Sequence, residues 1–211
     1  KIGFTHTTNQ RVELYVIDLA TQKAVKVNKQ PLYVILGADF TWVDDNTILY
    51  KATLKPATAA PPRPLMPKGP AVQENLGKTA PSRTYQDMIK SPYDEQLFEF
   101  YTNVQLVKNV NGVETKIGAP AIYSSVNLSP DKKYLLVCTI RKPFSYMVPA
   151  QRFPSTVTIQ DVNGKVVKTL AELPSGETSP SGYDNVQMVK RSFDWRDDEA
   201  ATVTWCEPLD S

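Results

Sequence analysis

One pattern occurs three times in this chain: an apolar strand end, a tight acidic turn, and a second apolar strand. The three copies span residues 39–50, 125–137 and 192–205. Although their spacing is uneven, a repeat of roughly 40 to 50 residues with four short strands per unit is typical of a β-propeller. One four-stranded blade cannot bury both of its faces, so such units must stack around an axis. The repeat therefore predicts an all-β scaffold of stacked sheets.

The strand pattern supports this interpretation along most of the chain. Asn-Gly pairs at 111–112 and 163–164 are typical of hairpin turns, because Asn and Gly tolerate positive φ angles. About thirteen short strands are predicted by alternation and turn signals, beginning and ending within a blade; two of them, over 114–117 and 121–127, are separated by a predicted break near Gly118. We therefore predict a fragment of a β-propeller with about three blades' worth of four-stranded antiparallel sheets, whose strands lie in 1–54 and 102–211.

Residues 55–101 interrupt the β pattern and are predicted to form an insertion. Its first half is rich in proline and glycine, which favours extended, polyproline-like chain. Two short helices are predicted after it, over 84–90 and 93–101. The second one has Ser91 and Pro92 in the positions of an N-cap and a first-turn proline.

Composition excludes several classes of function. The chain has 211 residues, a formal net charge of +2 and ordinary apolar (41%) and charged (22%) fractions. Such a weak charge predicts no attraction to nucleic acid or to an anionic membrane. No apolar run has the length of a membrane span, and no signal-peptide pattern is present. Because the chain opens in a predicted strand at Lys1, we expect it to be an excised piece that has lost any targeting segment.

Catalytic motifs are weak in this sequence. The single histidine, His6, lies in the first predicted strand and is predicted to be structural. The serine-rich stretch 175–182 lacks the spacing of a Gly-x-Ser-x-Gly nucleophile turn. The tripeptide 77–79, Gly-Lys-Thr, lacks the glycine and the strand-to-helix context of a phosphate-binding loop. The chain as given therefore carries no Ser-His-Asp triad.

Acidic pairs and cysteines are predicted to be structural as well. The pairs 44–45 and 197–198 recur at matching turns, where short carboxylates cap backbone amides. Cys138 and Cys206 would form a disulfide only if the blades bring them within bonding distance, and two buried free thiols are favoured. Two cysteines do not make a metal site, so we predict no metal and no cofactor.

Several passages of the sequence resemble one protein family more specifically than the blade repeat does. They lie at residues 62–70, 83–105, 117–125, 129–154 and 191–196. Together they resemble the propeller of the glutamyl endopeptidase branch of the prolyl oligopeptidase family of serine peptidases. The insertion and the passage Arg-Lys-Pro-Phe-Ser-Tyr at 141–146 carry most weight, because a propeller blade does not require them. Residues 1–54 resemble only an ordinary blade.

The resemblance implies a peptidase with an N-terminal propeller and a C-terminal α/β-hydrolase domain that holds the whole triad. This chain stops before such a domain, so we expect it to gate and help select peptide substrates and to be inactive alone. Whether it belongs to an enzyme stays open at this point. The resemblance favours a periplasmic or secreted protein, with an organellar location as the alternative.

One stretch is predicted to contact substrate directly. It contains Arg141, Lys142, Phe144, Tyr146 and Arg152, more cations and aromatic rings than a plain loop requires. An arginine guanidinium can donate two parallel hydrogen bonds to one carboxylate. We therefore expect this stretch to face the cavity between propeller and hydrolase and to help select substrates with Glu before the cleaved bond. The competing interpretation is a surface loop whose long side chains cover apolar strands.

A different class of function also fits the repeat. The chain could be a stand-alone propeller-type module that binds proteins or acts as a scaffold without catalysis. In either case an open partial propeller exposes strand edges. We therefore expect the isolated piece to self-associate through these edges.

Overall fold

The computed structural model describes residues 1–37, 39–54, 60–65, 85–178 and 188–209. These residues form an all-β structure with one α-helix. The elements are β1 (Ile2–Thr7), β2 (Val12–Asp18), β3 (Lys23–Lys26), β4 (Phe40–Asp44), β5 (Thr47–Thr53), α1 (Pro92–Thr102), β6 (Val104–Val110), β7 (Val113–Leu128), β8 (Tyr134–Ile140), β9 (Ser155–Asp161), β10 (Val166–Leu173), β11 (Arg191–Trp195) and β12 (Val203–Cys206).

The strands form three antiparallel sheets. The largest has seven strands in the order β10-β9-β8-β7-β6-β5-β4, preceded along the chain by β1-β2-β3 and followed by β11-β12. Strand β7 belongs to two units, because its first half pairs with β6 and its second half with β8. The seven strands are thus two four-stranded meanders that share one strand. This arrangement confirms the predicted all-β, partial β-propeller fold, whereas the division into domains stays a prediction.

Strand β7 also explains a difference from the predicted strands. The sequence predicted a break near Gly118, but the structure accommodates this glycine at φ +62° within a continuous strand of 16 residues. The pairing between β6 and β7 shifts at this point, from Leu106↔Ile117 to Val104↔Ala121. A bulge keeps the ladder intact while it bends the strand toward the next unit.

Acidic residues of two repeated turns cap backbone amides, as predicted for Asp44, whereas Asp198 of the last predicted pair forms an ion pair with Arg196 at 2.6 Å. Asp44 accepts a hydrogen bond from the amide of Asn46 at 2.8 Å, and Asp131 accepts from the amide of Lys133 at 3.1 Å. The hydrogen bond from the amide of Asn46 lowers the pKa of the Asp44 carboxyl group, whereas the hydroxyl of Ser129, and after it the amide of Lys133, lowers the pKa of Asp131. Each turn joins the first two strands of its unit, so the sequence repeat marks a structural repeat.

Apolar contacts join the sheets. Leu14 of β2, fully buried, packs in one cluster with Tyr50 of β5 and Val107 of β6. On the other side, Trp195 of β11 packs with Leu136 and Val157 of the seven-stranded sheet. Each sheet thereby covers a face of its neighbour, as stacking of blades requires.

The middle connection of each four-stranded unit is long, and the outer two are tight. The β5–β6 connection contains α1, and the β8–β9 connection spans residues 141–154. Ser91 caps α1 by accepting from the amide of Asp94 at 3.2 Å, which confirms the second predicted helix. The first predicted helix is wrong over its described part, residues 85–90, where Asp87 has φ +55°. Most of the proline-rich part lies outside the described residues.

The cysteines and the histidine are placed as follows. Cys138 and Cys206 are both free thiols; Cys138 is partly buried and Cys206 is exposed, so the prediction of two buried thiols is wrong for Cys206. Among the described residues, β12 pairs only with β11 and lies at the edge of this sheet. Its side chains are therefore open to solvent. His6 is exposed on β1 with its ring 6.1 Å from the ring of Tyr15, and its structural role stays a prediction. No helix in the described part of the chain is long and apolar enough to cross a membrane.

Two glycines with positive φ provide a matched test of packing. A Cβ atom on Gly164, at φ +84°, would lie 2.2 Å from the backbone nitrogen of Gly118, whereas one on Gly112, at φ +90°, would meet nothing within 4 Å. We predict that Gly112→Ala lowers the free energy of unfolding by about 1–2 kcal/mol, the conformational cost of a left-handed residue. Gly164→Ala should cost about 1–3 kcal/mol more, because backbone must also move. Urea unfolding of both variants checks this, and equal losses would contradict it.

A buried lysine makes stability depend on pH. Lys51 is 3% exposed, donates to the carbonyl of Leu36 and lies 5.3 Å from the ring centre of Tyr33. Burial lowers the pKa of Lys51 to about 8, and the charge of Asp39 opposes this shift only in part. In the unfolded chain the lysine side chain has its ordinary pKa of about 10.4. The free energy of unfolding should therefore rise with pH between these two values.

We predict that Lys51→Met removes most of this rise. Between pH 7.5 and 9.5 the wild-type chain should gain about 2 kcal/mol of stability relative to the variant, because only the wild-type lysine loses its buried charge. Urea unfolding at the two pH values measures the difference. A constant difference between wild type and variant would show that Lys51 keeps its proton in the folded chain over this pH range, so that burial does not lower its pKa.

Candidate functional site

The two long middle connections pack against each other. Phe98 of α1 contacts Phe144 and Phe153 of the β8–β9 connection edge to face, with ring centres 4.9 and 5.6 Å apart. Phe144 and Phe153 stack on each other at 5.5 Å. Aromatic pairs with these geometries stabilise a contact beyond the area that they bury. We call these three side chains the aromatic cluster, and they fix the β8–β9 connection on the helix.

Phe144 is therefore an anchor of the connection. It is 6% exposed and belongs to a buried cluster with Ile122, Ile140 and Val148. A ring in this position shapes the loop and offers little surface to a peptide. The sequence predicted its presence at a site but not this burial.

Polar contacts from α1 hold two further residues of the predicted site. Nζ of Lys142 lies 2.7 Å from a carboxylate oxygen of Glu99 in an exposed ion pair. Tyr146 interacts with Glu95, one helical turn earlier. Burial, followed by the hydrogen bond to Glu95, raises the pKa of Tyr146 to about 12. Both side chains are thus directed toward the helix.

Arg141 closes the base of the same connection. Its amide donates to the carbonyl of Pro154 at 2.7 Å. Its guanidinium lies 3.4 Å from the carbonyl oxygens of Ser155 and Leu173 and 3.7 Å from the carboxylate of Glu172. The side chain is therefore held along the edge of β9 and β10.

Arg152 has a different environment from the other four predicted residues. It ends a short 3₁₀ turn, Ala150–Arg152, and its Nη1 lies 3.4 Å from the hydroxyl of Tyr85. Its side chain lines a cavity of about 470 Å³ between the seven-stranded sheet and the chain leading into β11. Lys190 and Arg191 line the same cavity. We call this space the cationic cavity.

The remaining wall of the cationic cavity is polar but uncharged or apolar. Four serines contribute to it: Ser125, Ser155, Ser175 and Ser192. The described lining residues include no Asp and no Glu. A concave space, open to solvent on one side, with several cations, hydroxyl donors and no carboxylate among its described lining residues is suited to a bound anion.

Two details define the charge in this cavity. Lys190 lies 3.7 Å from the carboxylate of Glu207 and 4.8 Å from the ring centre of Trp205, and both contacts are near the surface. A surface ion pair of this kind contributes little to stability, so the ammonium group of Lys190 can exchange Glu207 for another anion. Cys138 is also on the wall, and burial raises the pKa of its thiol, so this group stays neutral at neutral pH.

The structure thus brings one of the five predicted residues, Arg152, to the cavity. Sequence reasoning missed Lys190 and Arg191, which come 38 and 39 residues later along the chain. The available signal was the adjacent pair of cations at the start of the third repeat copy. No periodicity could place that pair next to Arg152, because their proximity depends on how β11 packs on the sheet.

Other predicted motifs contribute nothing here. Ser175 accepts from the amide of Glu177 at 3.3 Å, and the rest of the serine-rich stretch lies outside the described residues. The Gly-Lys-Thr tripeptide at 77–79 lies outside them as well. Among the residues that the structure describes, no group of three His, Cys, Asp or Glu side chains could hold a metal ion.

The sequence is similar to two known plant proteins. The chain is 37% identical over 208 residues to a probable chloroplastic glutamyl endopeptidase of Oryza sativa subsp. japonica, a match that covers 96% of the chain and 22% of that protein. It is 35% identical over 201 residues to a protein of the same description from Arabidopsis thaliana, covering 93% of the chain and 21% of the relative. No family model and no solved structure matches the sequence. The chain is therefore similar, over nearly its whole length, to about one fifth of these chloroplastic proteins.

Proposed function

We propose that this chain is the propeller portion of a serine peptidase of the glutamyl endopeptidase type. In this proposal it gates and selects peptide substrates, and an α/β-hydrolase domain of the same polypeptide cleaves them. The partial β-propeller fold and the similarity to probable glutamyl endopeptidases support the proposal. The names of these relatives assign them to the chloroplast, and the compartment of this chain stays a prediction.

The cationic cavity is the observation that supports a role in substrate selection. A carboxylate entering it meets Arg152, Lys190 and Arg191, and the described lining holds no Asp or Glu, although Lys190 already has Glu207 as a partner at 3.7 Å. Hydrogen bonds between a guanidinium and a carboxylate are charge-assisted and stronger than neutral ones. We therefore assign selection of an acidic substrate side chain to Arg152 rather than to a pair of Arg141 and Arg152, because Arg141 is held at the edge of β9 and β10.

The role of Arg152 can be tested in the full polypeptide with matched peptides that have Glu or Gln before the cleaved bond. Arg152→Gln should raise the KM for the Glu peptide about 10- to 100-fold, the effect of losing one hydrogen bond to a charged group. The KM for the Gln peptide should change less than about threefold, because an uncharged amide gains little from the cation.

Lys142→Gln is the matched control. It removes one positive charge from the same connection, but its ammonium group is bound to Glu99 and lies outside the described lining of the cavity. Its kinetics should follow wild type for both peptides. If Arg152→Gln changes the KM of the two peptides equally, the assignment of acid selection to Arg152 is wrong.

The peptidase proposal itself needs a separate experiment, since a stand-alone binding module would also hold an acidic peptide. The full polypeptide should cleave peptides after Glu and should be labelled covalently by a fluorophosphonate, which reacts with activated serines. Residues 1–211 alone should do neither. A full polypeptide that binds Glu peptides without cleavage or labelling would establish the binding module instead.

A further inference from the structure

Arg152 is held by two contacts from outside its own connection. At the tip of the side chain, Nη1 lies 3.4 Å from the hydroxyl of Tyr85. Along the stem, the backbone of Gly176 approaches closely, where the short 3₁₀ turn Gly176–Thr178 begins after β10. An arginine side chain has many rotamers in water, so contacts at both ends reduce the number that Arg152 can adopt.

The approach of Gly176 to Arg152 leaves no room for a side chain. A Cβ atom on Gly176 would lie 3.0 Å from Cβ of Arg152, 3.4 Å from its Cγ and 3.4 Å from its carbonyl oxygen. Carbon atoms in ordinary contact are about 3.5–4.0 Å apart. Either the stem of Arg152 or the backbone of residues 174–176 would therefore have to move by a few tenths of an ångström.

Backbone conformation does not explain the glycine at this position. Glycine is usual where φ is positive, but Gly176 is not among the described glycines with positive φ. An alanine would fit the local backbone, and it would reduce the conformational freedom of the unfolded chain. What the position requires is thus the absence of a side chain beside Arg152.

The segment that carries Gly176 is fixed at its base by the sheet. Leu173, the last residue of β10, pairs with Ser155 of β9. The guanidinium of Arg141 donates to the carbonyl oxygens of both residues at 3.4 Å. Pro174 follows directly, and its ring restricts the φ angle of the chain. The position of Gly176 against Arg152 therefore depends on the pairing of β9 and β10.

We propose that Gly176 is a positioning residue, whose lack of a side chain lets residues 174–176 pack on the stem of Arg152 and direct its guanidinium into the cationic cavity. This inference rests on the proposed function, because it requires that Arg152 selects an acidic substrate side chain. Gly176 lines the cavity but has no charge of its own, so it acts on the substrate through Arg152.

The same connection also leads to the other two cations. It begins after β10, passes Gly176 and reaches Lys190, and Arg191 is the first residue of β11. Both cations line the cavity together with Arg152. The connection between β10 and β11 therefore supplies one cation, leads into the second and positions the third, so the acid selectivity of the cavity depends on it.

Binding of two peptides that cannot be cleaved tests the proposal in the full polypeptide. They differ only in Glu or Gln before the bond, which is replaced by a reduced amide, and fluorescence anisotropy gives each Kd. Gly176→Ala should raise the Kd of the Glu peptide about 3- to 10-fold, part of the loss of a hydrogen bond to a charged group, because the guanidinium is displaced. The Kd of the Gln peptide should change less than about twofold.

Gly3→Ala is the matched control. Gly3 also has no positive φ, and a Cβ atom on it would lie 2.9 Å from the ring of Phe40, but neither residue is in the described lining of the cavity. Both Kd values should follow wild type in this variant. In Gly176→Ala the midpoint of urea unfolding should stay within about 0.5 M of wild type. Equal rises in the two Kd values would overturn the proposal, whatever the midpoint.

A second background shows whether Gly176 acts through the guanidinium. Arg152→Gln keeps the Cβ and Cγ atoms but removes the guanidinium, so adding Gly176→Ala should change the Kd of the Glu peptide less than about twofold. An equal fold-change in both backgrounds would overturn the proposal. If Arg152→Gln separates Glu from Gln peptides and Gly176→Ala does not, this inference is wrong and the proposed function stands. If Arg152→Gln does not separate them, both are wrong.

Discussion

Each four-stranded unit of this chain has two apolar faces and can cover neither of them alone. The structure meets this constraint by packing successive sheets against one another. Leu14 covers the face that includes Tyr50 and Val107, and Trp195 covers the face that includes Leu136. Trp195 also donates its indole N–H to a backbone carbonyl of β7 at 3.0 Å, so its polar atom is satisfied in the core.

The candidate site depends on this packing in two steps. The sheets hold β8 and β9 in register, which fixes both ends of their long connection. The aromatic cluster then fixes the middle of that connection on α1, an element supplied by the neighbouring unit. Arg152 directly precedes Phe153 in this connection. Its position therefore depends on residues of two different units. The last wall of the cavity comes from a third unit, through Arg191 of β11 and Lys190 just before it.

This construction explains why much of the fold was predictable and much of the site was not. Alternation, Asn-Gly turns and acidic turns are local, so they identified most strands, and the adjacent Ser91 and Pro92 identified the start of α1. The helix predicted at 84–90 is wrong over residues 85–90, where Asp87 adopts a left-handed conformation. A continuous β7 was missed because Gly118 and Pro120 usually end a strand, and a bulge removed that conflict.

Residues that are close along the chain specify the all-β class, the repeat of strand, acidic turn and strand, and a cationic, aromatic connection at 141–152. Three properties of the site depend instead on the packing of the folded chain: Lys142 and Tyr146 are directed to α1, Phe144 is buried, and Arg152 shares a cavity with Lys190. A side chain's partners across sheets come from distant segments, and the local pattern of hydrophobic and turn residues does not encode which segments meet.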